Sequence, residues 1–508
     1  MKPAAAFPSA SAEPVWADAD RLPRGAQLAS NLTTDVCVVG AGIAGLTTAY
    51  QLARAGRRVV VLDDGPLAGG MTYVTTAHLS NAIDDRFTNI EYWHGAEGAR
   101  LAAESHAAAI DRIEQISQEL DIDCDFRRVD GYLFADPTDD THTLERELEA
   151  AHRAGVNAEM VARLPLKMLD GGPCIRFLRQ ARFHPLKYLS GLGNALVEMN
   201  VGLYTKQRAE RIEGGDHATV QVGQHEVRAS AVVVATNSPV NDMFALHTKQ
   251  APYMTYVIGA RIAKGAVVDA LYWDTLDPYH YVRLQELDDD YDLLIIGGED
   301  HKSGQQPAGD QPHQKLEAWA RLRFPIKNIE HAWGGQCMET VDGLAFIGRN
   351  PSDAPNVYVA TGDSGMGITH GTIAGMLLSD LILGRENPWA GLYDPSRTSL
   401  RAAKEFVREN VNVAVQYADW VTPGEEKTPD DIEPGTGAVI RRGMRKFAVA
   451  KSEDGKVTEL SAVCPHLGCI VHWNQVEGTW DCPCHGSRFQ ATGDVINGPA
   501  NRPLDANS

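Results

Sequence analysis

The 508-residue sequence predicts an α/β protein of more than one domain, on three observations. An apolar run near the N-terminus, "DVCVVGAGIAG", turns directly into a glycine triplet and then a helical stretch. Further apolar strand-type runs recur down the chain and end in a strand, a glycine-rich turn and a long apolar helix, "NVYVATGDSGMGITHGTIAGMLLSDLILG". Beyond a break in composition, four of the eight cysteines crowd into "AVCPHLGCIVHWNQVEGTWDCPCHGSRF".

The N-terminal motif is G-x-G-x-x-G, made by Gly40, Gly42 and Gly45. The glycines permit a tight turn and close backbone approach to a pyrophosphate, which sits at the positive end of the following helix. A second strand, "RRVVVLDD", ends in Asp63, eighteen residues after Gly45, where a carboxylate can accept ribose hydroxyls. Strand, glycines, helix, strand and acid in that order predict a dinucleotide. The motif itself does not choose between NAD and FAD.

The later elements favour a flavin. "ASAVVVATNSPVND" is another buried strand that ends at Thr236, and the last helix points its N-terminus back toward the cofactor. A helix dipole there stabilises negative charge on a reduced isoalloxazine. The whole run resembles the D-amino-acid oxidase, or glycine oxidase, superfamily of FAD enzymes, matched also by "VDGLAFIGR" at Val341 and "GGMT" at Gly69. The resemblance implies an FAD-binding Rossmann-like domain with an interleaved α+β substrate domain. It implies FAD contacts at Gly40, Gly42, Ala44, Gly45, Asp63, Gly70, Thr72, Ala209, Thr236 and Asp363, and places Gly365, Met366, Gly367 and Thr369 near the flavin ring. Some relatives carry covalent flavin on a histidine whose place here falls to Val74, so the flavin is expected to be noncovalent.

A second dinucleotide motif is missing, since "GLGNAL" at Gly191 fails at the third glycine. Cys37, Cys124, Cys174 and Cys337 stand alone and read as core residues rather than a redox pair. Electrons are therefore expected from a small organic substrate. The richest candidate stretch is "YWDTLDPYHYVRLQEL", where strand alternation puts Tyr279, Tyr281 and Arg283 on one face and His280 on the other. Two phenols and a guanidinium would suit a carboxylate-bearing substrate; the alternative is packed tyrosines and an ion-paired arginine. Tyr281 and Arg283 are assigned positioning roles, with His280 and His301 as weaker candidates and His184 and Lys187 as loop residues.

In the C-terminal cluster, Cys464 and His466 form C-x-H, and Cys482 and His485 form C-x-x-H. Two Cys and two His can hold a tetrahedral zinc or a two-iron cluster with thiolates on one iron and imidazoles on the other. The mixed order favours two hairpins approaching a cluster from opposite sides. "CPHLGC" and "CPCHGS" resemble the two ligand boxes of the Rieske iron–sulfur domain, in the disulfide-containing form of cytochrome bc complexes. This implies an all-β domain holding a 2Fe-2S cluster on Cys464, His466, Cys482 and His485, with a Cys469–Cys484 disulfide and "NGPANRPL" as the proline loop. It also implies that Ser487 donates to a cluster sulfur, while Phe489 stands where high-potential relatives carry a tyrosine hydroxyl.

These readings divide the chain into an N-terminal arm (1–30), an FAD-dependent oxidoreductase domain (31–420), a linker (421–434) and the Rieske domain (435–508). The substrate part is interleaved at roughly 85–230 and 251–336. The linker follows from "VTPGEEKTPDDIEPGTG", rich in Pro, Gly and acid, with a helix expected in "SLRAAKEFVRENVNVAVQYADWV" before it. From Gly435 onward, eight Lys/Arg nearly balance seven Asp/Glu, so the rest of the chain carries almost all of the net charge of −20. That charge argues against a nucleic-acid partner. Apolar runs such as "VVVL" are far shorter than the roughly 20 residues of a membrane span, and the N-terminus lacks a secretory pattern, so a cytoplasmic protein is expected.

Two electrons enter a flavin together and leave a Rieske cluster singly. The expected function is therefore a dehydrogenase that oxidises an amine or amino-acid-like substrate and passes electrons through the cluster to an external carrier. The alternatives are an electron-transfer module serving a partner oxygenase and an oxygen-reducing amine oxidase.

Overall fold

The computed structural model describes residues 10–17, 22–136, 142–166, 172–241, 246–306 and 311–506. The strand Leu32–Val39 lies inside a sheet, parallel to Val59–Leu62 on one side and His225–Val234 on the other. Gly202–Tyr204, Val357–Thr361 and Phe346–Arg349 extend it. Val36, Cys37, Val38 and Val39 are all buried, as an unbroken apolar run requires when both faces of a parallel strand are covered. The helices Ile43–Arg54 and Gly367–Leu383 cross at close range because Gly371 and Gly375 have no side chain to hold off Ile43 and Thr47.

A second, nine-stranded sheet stands against the first. In order it runs Asn328–Thr340, Gln250–Ala263, Tyr291–Lys302, Tyr281–Glu286, Leu271–Asp274, Arg127–Phe134, Cys174–Arg182 and His78–Leu79, with Ala158–Val161 also on Cys174–Arg182. The sequence-based boundaries of the substrate part need correction. Gly202–Tyr204, Arg211–Glu213, Ala218–Val222 and His225–Val234 all belong to the first sheet, so the first insertion ends near residue 200 rather than 230. The second runs on through Thr340. Alternation in these short strands marks one buried face without saying which sheet owns it.

Among its described residues, the N-terminal arm packs onto the rest of the chain. Trp16 is fully buried, its indole N–H donating to Thr75 O at 2.7 Å, and Ser11 bridges to His331. The helix expected before the linker spans Ala403–Gln416. The linker itself packs onto the C-terminal domain: Glu425 N–H donates to Val439 O, and Ile432 is buried with Ala438, Ile440 and Val449. A Pro- and acid-rich composition hid this single apolar anchor.

The C-terminal domain has two small antiparallel sheets. One comprises Thr436–Arg442, Arg445–Lys451 and Val457–Ser461; the other comprises His472–Asn474, Thr479–Asp481, Arg488–Gln490 and Val495–Asn497. Among the described residues, no helix is long and apolar enough to cross a membrane.

Candidate active site and metal centre

A cavity of about 470 Å³ runs from the first sheet to the second. Its outer end is the glycine turn. Gly40 has φ +105° and no room for a side chain beneath Ala235 O, while Gly45 packs under Gly40 O and off the cavity wall, letting the helix approach the strand. Gly42, Ala44, Gly70, Thr72, Ala209 and Thr236 line the cavity with Gly40. Thr72 Oγ1 accepts from Ile43 N–H at 3.2 Å and so ties the start of the helix to the 69–72 segment. Asp63 lines it too; its carboxylate accepts from Ala41 N–H at 2.6 Å and Gly65 N–H at 2.8 Å, and burial pushes its pKa up to about 6.

The helix Gly367–Leu383 aims its N-terminus at the inner part, where Asp363, Gly365, Met366 and Gly367 form the lining. Gly365 has φ +69° and leaves no space for a side chain beside Asp84. Asp363 Oδ1 accepts from Met338 N–H at 2.9 Å and so ties this turn to the second sheet. Thr369 departs from expectation. It is 1% exposed and off the wall, its hydroxyl donating to Met366 O, because the helical rotation that exposes Ile368 and His370 to the cavity turns Thr369 away.

The inner end is a chamber whose walls are aromatic rings laid over glycines. Trp273 and Tyr281 are paired on adjacent strands; Trp273 lies across Gly131, and Tyr281 across Gly297, its direct partner on the next strand. Tyr281 Oη and Thr255 Oγ1 share a hydrogen bond at 2.9 Å, and the Tyr279 ring stands 5.4 Å from that of Tyr281. His78 meets Tyr281 edge-on at 5.4 Å; burial, with Arg283 nearby, lowers its pKa to about 3, so it is neutral. Val74 also lines the cavity, with no nucleophilic atom to offer a flavin.

Arg283 is not part of this wall. Its side chain runs beneath the sheet, where it is fully buried and donates to Ala77 O at 2.9 Å, Phe183 O at 2.8 Å and Gln285 Oε1, with Trp16 stacked 5.3 Å away. Burial and the neighbouring Arg182 lower its pKa to about 9. It shares a strand face with Tyr281 as expected, but lies one residue pair beyond the chamber and closes a gap between loops. His280 points away from the chamber, stacked on Trp319 at 4.3 Å with Asp274 Oδ2 2.9 Å and Glu299 Oε1 3.3 Å away. Burial opposes its charge, yet those two carboxylates outweigh it and raise the pKa. His184 caps a helix by accepting from Lys187 N–H, Lys187 pairs with Asp125, and the His301 ring lies 5.5 Å from Tyr256; none of the three lines the cavity.

Sequence reasoning missed Trp273, His78 and Gln336, and a group of acids: Asp84, Asp300 and Glu339 line the chamber with Asp363. Asp84 and Asp85 sit in a loop, and Asp300 and Glu339 are isolated on long strands, so no spacing rule joins them.

In the C-terminal domain, Cys464 and Cys482 are buried with their thiols in contact, and the rings of His466 and His485 stand 5.1 Å apart. Cys469 and Cys484 are disulfide-bonded with Cα atoms 6.4 Å apart, tying the two loops together. Two thiols and two imidazoles converging from two stapled loops suit a cluster with sulfur on one iron and nitrogen on the other. Ser487 hydrogen-bonds Cys464 and accepts from Ala500 N–H at 3.0 Å, so it braces the 497–504 loop. Phe489 is fully buried in the core shared by all four cysteines.

This domain is docked on the rest. Gln336 Nε2 donates to Gly486 O and to Ser303 Oγ, each at 3.0 Å; Pro252 fills the space over Gly486. Val495, Ile496, Asn497, Gly498, Ala500 and Asn501 form part of the cavity wall. Tyr417 and Trp420 donate to Leu467 O and Gly468 O in the first ligand loop.

Residues 35–381 match the family model described as FAD dependent oxidoreductase (DAO), and residues 424–507 match the Rieske [2Fe-2S] domain. A Bacillus subtilis protein named as a Rieske 2Fe-2S iron-sulfur protein, YhfW, is 31% identical over 504 residues, 98% of each chain. Gamma-glutamylputrescine oxidoreductase of Escherichia coli is 27% identical over 378 residues, 70% of this chain and 85% of that one. The crystal structure of glycine oxidase from Geobacillus kaustophilus superposes with a TM-score of 0.60 at 16% identity, over 72% of this chain and all of that one, which places the fold. FAD and a 2Fe-2S cluster are thus the cofactors, and the glycine cradle and the stapled Cys/His loops fit them. The chain belongs to the FAD-dependent oxidoreductase family of DAO type and carries a C-terminal Rieske domain.

Proposed function

We propose that the protein is a dehydrogenase that oxidises the C–N bond of a small amine or amino-acid-like substrate and passes the electrons through the cluster to an external acceptor. The observation that carries this reading is the docking of the Rieske domain on the cavity wall, with Gln336 bonded to Gly486 of the second ligand loop. The flavin supplies a two-electron acceptor for the substrate, and the cluster a one-electron carrier.

The chain's own residues supply position and shielding. The glycine turn and the N-terminus of Ile43–Arg54 would hold the pyrophosphate, and the N-terminus of Gly367–Leu383 would stabilise negative charge on the reduced flavin. Tyr279, Tyr281 and Trp273 wall the reacting carbon off from water and fix its approach. Gln336 reaches from the chamber to the ligand loop, so substrate site and cluster share one rigid contact. The names of the gamma-glutamylputrescine and glycine enzymes support a C–N bond as the target.

The test is anaerobic. Substrate should bleach the flavin, and a Rieske-type electron resonance signal should follow in the same sample. Hydrogen peroxide formed in step with substrate, with the cluster left oxidised, would sink the reading and favour an oxidase; flavin reduction by a ferredoxin and by no amine or amino acid would favour an electron-transfer module.

A further inference from the structure

Four carboxylates, Asp84, Asp300, Glu339 and Asp363, line the inner chamber. Among the described residues, the only Lys or Arg on the cavity wall is Arg208, which stands at the other end beside Asp63 and Asp64 and pairs with Asp64 at 2.8 Å. Arg283, the cation nearest in sequence to the tyrosines, is committed to backbone carbonyls beneath the sheet. A substrate carboxylate in the chamber would therefore lose its hydration beside four carboxyl groups and meet no cation on the chamber wall, Arg86 acting on Asp84 from off the wall, which is costly in a buried site.

Two of the chamber residues also carry a buried acceptor atom without a partner. The Asp300 carboxylate accepts from the Thr255 hydroxyl, while its Oδ1 is buried without a hydrogen-bond partner, although the residue lines the chamber. Gln336 lines it too, is 4% exposed, and spends both its donated bonds on Ser303 and Gly486 while Oε1 is left unpaired. Buried acceptors without partners are rare in folded proteins and concentrate at sites with a functional role. The surrounding faces of Tyr279, Tyr281 and Trp273 favour a cation as well.

We infer that the chamber takes a cationic amine lacking an α-carboxylate, with its ammonium held by Asp300 and Asp84 and enclosed by Tyr279, Tyr281 and Trp273. This rests on the proposed function and narrows its substrate to amines rather than amino acids. Burial pushes Asp84 to about 6, with Tyr279 and Arg86 opposing and Asp363 adding to it, and pushes Asp300 to about 7, with Thr255 and His280 opposing and Asp84 and Glu299 adding to it, so both acids can ionise against an incoming cation.

The test uses holoprotein and two probes of one shape, tert-butylammonium and 2-aminoisobutyrate. They differ by a carboxylate, and neither has an α-hydrogen to lose, so binding is read from the flavin absorbance without turnover. The ammonium should bind about ten- to a hundredfold more tightly, the scale of one charge-assisted bond. Asp300→Asn, with FAD content intact, should weaken the ammonium about tenfold or more and leave the amino acid no worse. Equal or tighter binding of 2-aminoisobutyrate, an undiminished ammonium affinity in the Asn variant, or no response to the ammonium would each overturn the inference. Failure of the proposed function looks different, because flavin that no substrate reduces would leave this binding preference readable. Conversely, brisk oxidation of amino acids with tighter 2-aminoisobutyrate binding would keep the dehydrogenase and discard the amine.

Discussion

His247, on the FAD-binding part of the chain, stands edge-on to the ligand-box residue His466 with ring centroids 5.0 Å apart, and 5.5 Å from His485. All three rings pack where the two domains meet, and His247 is 2% exposed. The imidazole edge of the cluster site is thus covered by the protein's own flavin domain. His247→Ala should empty this contact and loosen the docking by roughly 1–3 kcal/mol, as truncation of a buried interface residue does. Flavin and iron contents should hold and substrate should bleach the flavin at the normal rate, while rapid-mixing spectroscopy shows the cluster reduced about tenfold or more slowly. His247→Phe, which restores the ring, should recover most of the rate; an Ala variant with normal cluster reduction would show that the contact does not govern transfer.

Arg283 should behave as a structural residue. Arg283→Ala leaves Ala77 O, Phe183 O and Gln285 Oε1 without their donor in a fully buried place, a cost of about 2–4 kcal/mol. Arg283→Lys should recover part of it, since one ammonium cannot span the same carbonyls. Denaturant unfolding should report the loss, and the selectivity between an amine and its α-carboxylated analogue should not change. A stable Ala variant with weakened carboxylate binding would return Arg283 to the substrate site.

The nucleotide end and the Cys/His boxes were legible in sequence because each is local: a pyrophosphate cradle and a loop of ligands need fixed spacing over a few residues. Gly40, Gly42 and Asp63 could be placed this way, while the Cys469–Cys484 disulfide came from the resemblance of the two boxes to the Rieske domain. The chamber was only half legible. Alternation put Tyr279 and Tyr281 on one face correctly, but it could not tell that Arg283, two residues on, passes the chamber edge and meets the Trp16 arm. Asp84, Asp300 and Glu339 come from a loop and two distant strands, and His247 is brought to His466 by domain docking. Such encounters are set by tertiary packing and leave no period in the chain.

The flavin should come off intact when the protein is denatured. Val74 lies on the cavity wall, its backbone O accepting from the Trp333 indole at 2.8 Å, and an isopropyl group forms no bond to the ring. Acid precipitation followed by absorbance of the supernatant checks this; yellow colour retained by the washed pellet would contradict it.

Phe489 offers a direct handle on the cluster. It is fully buried among Cys464, Cys482 and the disulfide, on the strand that follows the second ligand loop. A hydroxyl placed there by Phe489→Tyr should donate toward a ligand sulfur and stabilise the more negative reduced state. The potential should rise by roughly tens of millivolts, a modest step within the Rieske range. Redox titration followed by electron resonance decides it; an unchanged or lower potential with an intact cluster would mean that the ring does not face the sulfur.

The acids of the chamber should make stability fall with pH. Asp300 has its pKa raised from 3.8 to about 7: burial dominates, the Thr255 hydroxyl opposes it, and the charge of Asp84 adds to it. A carboxyl that is harder to ionise when folded holds its proton longer in the native state than in the unfolded chain. Between pH 4 and about 7 the native state therefore binds more protons, and this group's share of the stability declines as pH rises through that window. Asp84 and Asp85, raised to about 6 and about 7 mainly by burial, act in the same direction. Asp300→Asn removes one such ionisation while keeping the shape. Its melting temperature should lie close to wild type at pH 5 and above it by a few degrees at pH 8. The comparison is made on holoprotein at constant ionic strength, and the gap between variant and wild type should widen steadily across the window. A gap of constant size would mean that Asp300 is ionised throughout, already paired with a cation in the folded protein, and that its raised pKa has no part in the chamber's chemistry.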